Sequence, residues 1–132
     1  MHKILHLIFN SGKKNTPKVV LEAFVTRFGN SLNIEWHKEN ENYEAVFYRD
    51  TTEIIAIFSA SGELIEQKYN LDLSLVTPPI ARQAAAIGEL MNLIEIERQG
   101  KIFYEIIARD GMLDRYSVLL EEDGTVLEKR KL

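Results

Sequence analysis

The chain has 132 residues, 16 basic against 20 acidic, a net charge of −4 and no cysteine. That length suits one domain, or two small halves sharing a core, and is enough to fold without covalent staples. The absence of cysteine excludes a disulfide framework and thiolate metal sites, and the acidic balance argues against nucleic acid, whose affinity rests on basic clusters.

Residues Met1 to Phe9 are apolar but interrupted by His6, and Asn10-Ser11-Gly12-Lys13-Lys14 follows. No small-residue cleavage site comes next, and no stretch reaches the roughly 18 apolar residues of a membrane span. Residues 1–15 are therefore expected to form an extra strand or an arm. Thr16 can cap a helix with Pro17 at its first position, and Val20, Ala23, Phe24 and Phe28 recur at helical spacing before Gly29. Short strands are expected at 33–37, 43–48, 53–59 and 63–69, separated by Asn40-Glu41-Asn42 and by Ser61-Gly62. Residues 71–76 are a connection too short and too apolar for a flexible tether. Thr77, Pro78 and Pro79 open a second helix, with Ile80, Ala84, Ile87 and Met91 as its stripe and Gly88 weakening its last turn. Strands at 93–97, 102–109, 115–121 and 125–130 follow, with turns at Gln99-Gly100, Asp110-Gly111 and Asp123-Gly124. Asp-Gly favours a two-residue hairpin, because a type I′ turn needs positive φ at both central residues.

The second half echoes the first. Thr16-Pro17 and Thr77-Pro78 lie 61 positions apart, as do Tyr43-Glu44 and Tyr104-Glu105, while Gly62 and Gly124 are separated by 62. Repetition at this length predicts an internal duplication rather than a solenoid. The expected fold is α+β: repeat 1 at residues 16–70 and repeat 2 at 77–132, each a helix followed by a four-stranded antiparallel meander, with helices on one face of the sheet.

Pairing parity assigns the faces. A two-residue Ser61-Gly62 turn would pair Ser59 with Leu64, and paired residues share a face. Tyr43, Ala45, Phe47, Ile54, Ala56, Phe58 and Ile65 then lie under the first helix; Tyr104, Ile106, Ala108, Tyr116, Val118, Leu120 and Leu127 lie under the second. The opposite face would carry Val46, Tyr48, Ile55, Ile57, Leu64, Glu66 and Lys68, and Phe103, Ile107, Leu119, Val126, Glu128 and Arg130. Contiguous apolar area of this kind marks a partner surface, unless the halves cover one another.

The order helix, Trp36, Tyr43-Glu44-Ala45-Val46-Phe47, a strand ending at Phe58 and a small-Gly turn resembles the PepSY-like family, whose members are also described as β-lactamase-inhibitor-like proteins of Bacteroidetes. The resemblance covers about Pro17 to Arg130. It implies two repeats, a concave antiparallel sheet with helices on its convex side, and an exported or periplasmic location. The first residues lack a convincing signal sequence, which leaves the cytoplasm open. Inhibition of β-lactamase does not transfer at fold level.

No catalytic or metal constellation emerges. His2 and His6 share a strand face without a third ligand at useful spacing, and His37 reads as an ordinary surface residue. Glu95 and Glu97 share a strand face, which reads as solvated rather than as a glycosidase pair. Ser11-Gly12-Lys13-Lys14 lacks the glycine and the Lys-Ser/Thr of a phosphate loop. Asp110-Gly111 and Asp123-Gly124 lack alternating calcium ligands and read as turns. Trp36 is expected in the core, and Tyr48 and Tyr69 are aromatic candidates for a partner surface. The expectation is a non-enzymatic chain with no cofactor that binds a protein or peptide through Tyr48, Ile55, Ile57, Leu64, Phe103, Leu119 and Val126. Alternatives are a small-molecule or enzymatic cleft between the repeats, and a homodimer burying the same face.

Overall fold

A computed structural model describes Lys13, residues 15–31 and residues 33–132. The expected N-terminal strand or arm, His2, His6 and most of the Ser11–Lys14 segment lie outside the described residues. The chain divides into two compact units, residues 1–67 and 68–132. Both are α+β, with a helix on an antiparallel sheet.

In the first unit, helix α1 (Lys18–Phe28) precedes β1 (Glu35–Glu39), β2 (Asn42–Arg49) and β3 (Thr52–Ser59), and β4 (Leu64–Leu71) begins in this unit. Pro17 occupies the N-cap, one position before the expected site, and no side chain caps the helix, so Thr16 does not play that role. Gly29 ends α1 as anticipated, its N–H bonded to the Val25 carbonyl at φ 77°. Val20 and Phe24 are the buried residues of α1. The Phe24 ring stands edge-on to Phe47 at 4.9 Å and to Trp36 at 5.6 Å, with Phe28 5.2 Å away. Edge-to-face packing suits ring quadrupoles and fixes the helix on the sheet. Tyr43, Ala45, Phe47, Ile54, Ala56 and Phe58 are all buried beneath it, as the alternation predicts.

In the second unit, Leu73–Leu75 form a 3₁₀ turn capped by Asp72, within the stretch expected as a plain connection. Helix α2 (Pro78–Ile87) has Thr77 at its N-cap and ends at Gly88. Strands β5 (Glu89–Arg98), β6 (Lys101–Arg109), β7 (Arg115–Glu121) and β8 (Val126–Lys131) follow, each antiparallel to the next. Met91 therefore belongs to β5 and not to the helical stripe. The reason is steric and non-local: a Cβ on Gly88 would lie 2.2 Å from the Arg109 carbonyl oxygen, so the helix stops where it meets the end of β6. Ile80, Ala84, Leu93, Tyr104, Ile106, Val118 and Leu120 make the core.

Three hairpin loops are one residue longer than the sequence suggests. Ser59 N–H bonds the Glu63 carbonyl (2.8 Å) and Gly62 N–H bonds the Ser59 carbonyl (3.0 Å). Glu121, Gly124 and Thr125 repeat this pattern at 2.9 and 3.0 Å. Asp110, Leu113 and Asp114 repeat it again at 2.9 and 3.0 Å. Each is a three-residue loop whose third residue adopts positive φ: 89° at Gly62, 95° at Gly124 and 66° at Leu113. Ser61-Gly62, Asp110-Gly111 and Asp123-Gly124 are thus not two-residue turns.

Candidate functional site

The longer loops decide which side chains share a face. Glu121 bonds Thr125, so Val126 pairs with the buried Leu120, and a bulge then returns Glu128 opposite Leu119. Val126 consequently stands on the helix side of its sheet, 44% exposed at the rim, and not beside Leu119 as expected. The same bond pair at Ser59 brings Leu64 into the corresponding position after its turn, opposite Phe58 rather than beside Ile57. Leu64 thereby leaves the expected surface set, and both it and Ile65 are half-buried. Leu127, expected under α2, is at the bulge and 47% exposed.

The rest of the predicted set divides between the units. In the first, Val46 pairs with Ile55, Glu44 with Ile57 and Tyr48 with Glu53, all on the face away from α1. Ile55 and Ile57 are half-buried and Tyr48 is exposed. Val46 is buried, so it supplies packing and not contact area. The Tyr48 hydroxyl donates to Glu53 Oε2 at 3.3 Å. Partial burial, then the Glu53 charge, pushes its ionisation above the ordinary phenol value. Glu35 and His37 lie on this same face through their pairing with Val46 and Glu44, with His37 Nε2 3.6 Å from Glu35 Oε2. His37 is therefore part of a half-buried polar pair and not an ordinary surface residue.

In the second unit Phe103 and Leu119 face away from α2, since Phe103 pairs with Glu121 and Leu119 with Glu105. Ile107 pairs with Ser117 on that face. The sequence reading missed Ile94 and Ile96 of β5, which pair with Glu105 and Phe103 and so join the same surface. Their signal was the alternation Ile94-Glu95-Ile96-Glu97, but its phase needed the Gln99-Gly100 turn to be carried back from β6. Ile94, Phe103, Ile107 and Leu119 are partly exposed, while Ile96 is buried between them. The Arg98 guanidinium sits 5.5 Å from the Phe103 ring centre, a cation–π contact at the border of the band.

Glu95 is not the solvated carboxylate expected. It accepts a hydrogen bond from the buried Tyr104 hydroxyl at 3.2 Å, on the helix side. Burial first, and the Glu95 charge second, push the Tyr104 phenol up to about 12. Trp36 is in the core at 2% exposure, and Tyr69 is half-buried. A depression of about 520 Å³ beside Lys101, Phe103, Glu121 and Asp123 lies in the second unit, and one of about 510 Å³ beside Leu21, Phe24, Asn30 and Trp36 in the first. Neither lining contains histidine, and among the described residues no group of three or more His, Asp or Glu could hold a metal ion. Among the described residues no helix is long and apolar enough to cross a membrane. What the geometry offers is two aliphatic sheet faces bordered by charge.

The chain matches no protein-family model and no curated protein. Solved structures do resemble it. A candidate periplasmic protein of Bacteroides eggerthii superposes with a TM-score of 0.79 at 18% identity, over 88% of each chain. A DUF2874 family protein of Bacteroides uniformis gives 0.78 at 16% identity, over 87% of this chain and 88% of that one. A BLIP-like protein of Bacteroides fragilis gives 0.71 at 14% identity, over 88% and 86%. At these identities the likeness establishes the fold, an α+β arrangement of the BLIP-like kind, and nothing finer.

Proposed function

We propose that the chain is a non-catalytic module that engages a protein or peptide through the sheet face turned away from its helices. One observation carries this reading: Ile94, Phe103, Ile107 and Leu119 remain partly exposed together on that face of the second unit, on strands whose other face is fully occupied by the α2 core. Single apolar side chains are ordinary on a protein surface, whereas a contiguous group of them on an open sheet face marks an interaction site. Tyr48, Ile55 and Ile57 form the corresponding set in the first unit. The BLIP-like name of one structural neighbour is in keeping with protein binding, and the description of another favours a periplasmic location. We also read the two units as products of duplication: a Cβ on Gly62 would lie 3.1 Å from the Val19 carbonyl oxygen at the start of α1, and a Cβ on Gly124 would lie 3.1 Å from the Pro79 carbonyl oxygen at the start of α2, so each turn abuts the start of its helix in the same way.

The test is the double variant Ile57→Lys, Leu119→Lys. Unchanged circular dichroism with loss of partner capture, or of self-association in size-exclusion chromatography, supports the reading. A variant that cannot fold, or one that captures partner as well as the parent, refutes it.

A further inference from the structure

We infer that the β6–β7 hairpin tip is an insertion element, with Met112 and Leu113 entering an apolar pocket of the protein partner and Arg115 meeting an acidic rim. This rests on the protein-binding reading above and adds the element that would give it specificity. Met112 is 82% exposed and Leu113 70%, and no other large apolar side chain among the described residues exceeds 60%.

Three features argue that this display is built. The first is the backbone. Leu113 holds φ 66°, a left-handed conformation that is strained for any residue with a Cβ, at the position where Gly62 and Gly124 stand in the two like loops. Those glycines also lack room for a Cβ, whereas Gly111 shows that space is open around this tip. Glycine would therefore serve position 113 better, if turning the chain were its only task. The second is bracing. Asp110 Oδ1 accepts from Met112 N–H (2.9 Å) and Asp114 N–H (3.0 Å), and the Tyr116 hydroxyl donates to Asp110 Oδ2 (3.3 Å). A tip held this way loses little conformational entropy on docking. The third is charge. Arg109 and Arg115 pair directly across the base of the loop, an arrangement that destabilises a sheet in isolation. Arg109 is offset by Glu89 at 2.8 Å, which leaves Arg115 exposed for an acidic group on the partner.

The same features weigh against a bilayer as the occupant. Electrostatic membrane docking takes a cluster of about four to eight free cations. Here Glu89 answers Arg109, Asp114 lies 3.4 Å from Lys131, and the chain carries a net charge of −4.

The experiment uses the full chain with a photo-crosslinking benzophenone side chain in place of Met112, and in place of Ser61 on another hairpin tip as control. The protein crosslinked from position 112 is identified, purified and titrated against the parent, Leu113→Gly and Arg115→Glu. The inference expects an adduct from 112 and not from 61. It also expects affinity at least tenfold weaker for Leu113→Gly with no fall in its melting temperature, and at least threefold weaker for Arg115→Glu. Absence of an adduct from 112, equal adducts from both tips, an adduct only with a second copy of this chain, co-sedimentation of the parent with phosphatidylserine vesicles, or unchanged affinity of Leu113→Gly each overturns it. If the Ile57→Lys, Leu119→Lys double variant loses the partner while Leu113→Gly keeps it, the tip inference falls and the sheet-face reading stands. If both variants keep it, both fall.

Discussion

Gly88→Ala is the substitution whose cost the structure specifies best. At the α2 C-cap Gly88 has φ 160° and ψ −113°, the mirror image of the extended region and open to glycine rather than to alanine. The larger effect is steric. The new Cβ would stand 2.2 Å from the Arg109 carbonyl oxygen and 3.1 Å from Asp110 Cα, both of them backbone atoms. A carbon–oxygen contact needs about 3.2 Å or more, so α2 and the end of β6 must separate by roughly 1 Å. Overpacking of this kind costs about 1–3 kcal/mol, and with no side chain able to swing away the upper end, about 3 kcal/mol, is expected. At this chain length that lowers Tm by roughly 10 °C. The control is Gly111→Ala, where nothing lies within 4 Å and φ is not positive, so stability should hold within about 0.5 kcal/mol. Urea denaturation of both variants measures the difference. Amide hydrogen exchange at Leu113 and Asp114 adds a local readout, because Asp110 anchors both residues immediately beyond the contact. A Gly88→Ala protein within 1 kcal/mol of the parent would refute the account of how the helix ends.

Phe24→Ala should remove about 3–5 kcal/mol, since its ring is buried among Phe28, Trp36, Phe47 and Phe58, and urea unfolding with an unchanged m-value is the check. Leu113→Gly should raise stability by about 1 kcal/mol through relief of the left-handed strain, seen as a higher Tm; a lower Tm would show that the side chain packs in the free protein. Tyr104 favours its neutral phenol in the folded state, so its contribution is intact below pH 10 and lost as pH rises toward about 12. Absorbance titration at alkaline pH should therefore show one late tyrosine that Tyr104→Phe removes.

How much of this was legible in the chain depends on the range of the information. Helix starts were visible because proline marks them locally, and the faces of β2, β3 and β6 followed from strict alternation: Tyr43, Ala45, Phe47, Ile54, Ala56, Phe58, Tyr104, Ile106 and Ala108 are all buried. Loop length was not visible. A Ser-Gly or Asp-Gly pair fits a two-residue loop with two positive-φ residues and equally a three-residue loop with one, and in the chain only Gly62 and Gly124 turn positive in their loops. That single residue moved Leu64 and Val126 off the surface to which parity had assigned them. The end of α2 was hidden for a different reason. Met91 follows Ile87 at helical spacing, and only the approach of Arg109 to Gly88, 21 positions before it, forbids the extra turn.

Units of the same design have been filled differently, and the difference bears on where binding resides. The first unit packs an aromatic core, in which Phe24 touches four other rings, whereas the second is built from aliphatic residues and Tyr104. Stability and binding draw on the same side chains only where a residue must serve both faces, and a two-layer sheet separates them by parity. In the β6–β7 hairpin the separation is complete: Tyr104, Ile106, Ala108, Val118 and Leu120 hold α2, while Phe103, Ile107 and Leu119 contribute nothing to that core and Met112 and Leu113 touch neither layer closely enough to be buried. A change at Phe103, Leu119 or Leu113 should therefore alter recognition with little effect on folding. The reverse holds at Ile106 or Val118, where truncation should cost about 2–4 kcal/mol before any partner is involved. That contrast separates a loss of binding caused by unfolding from one caused at the surface itself.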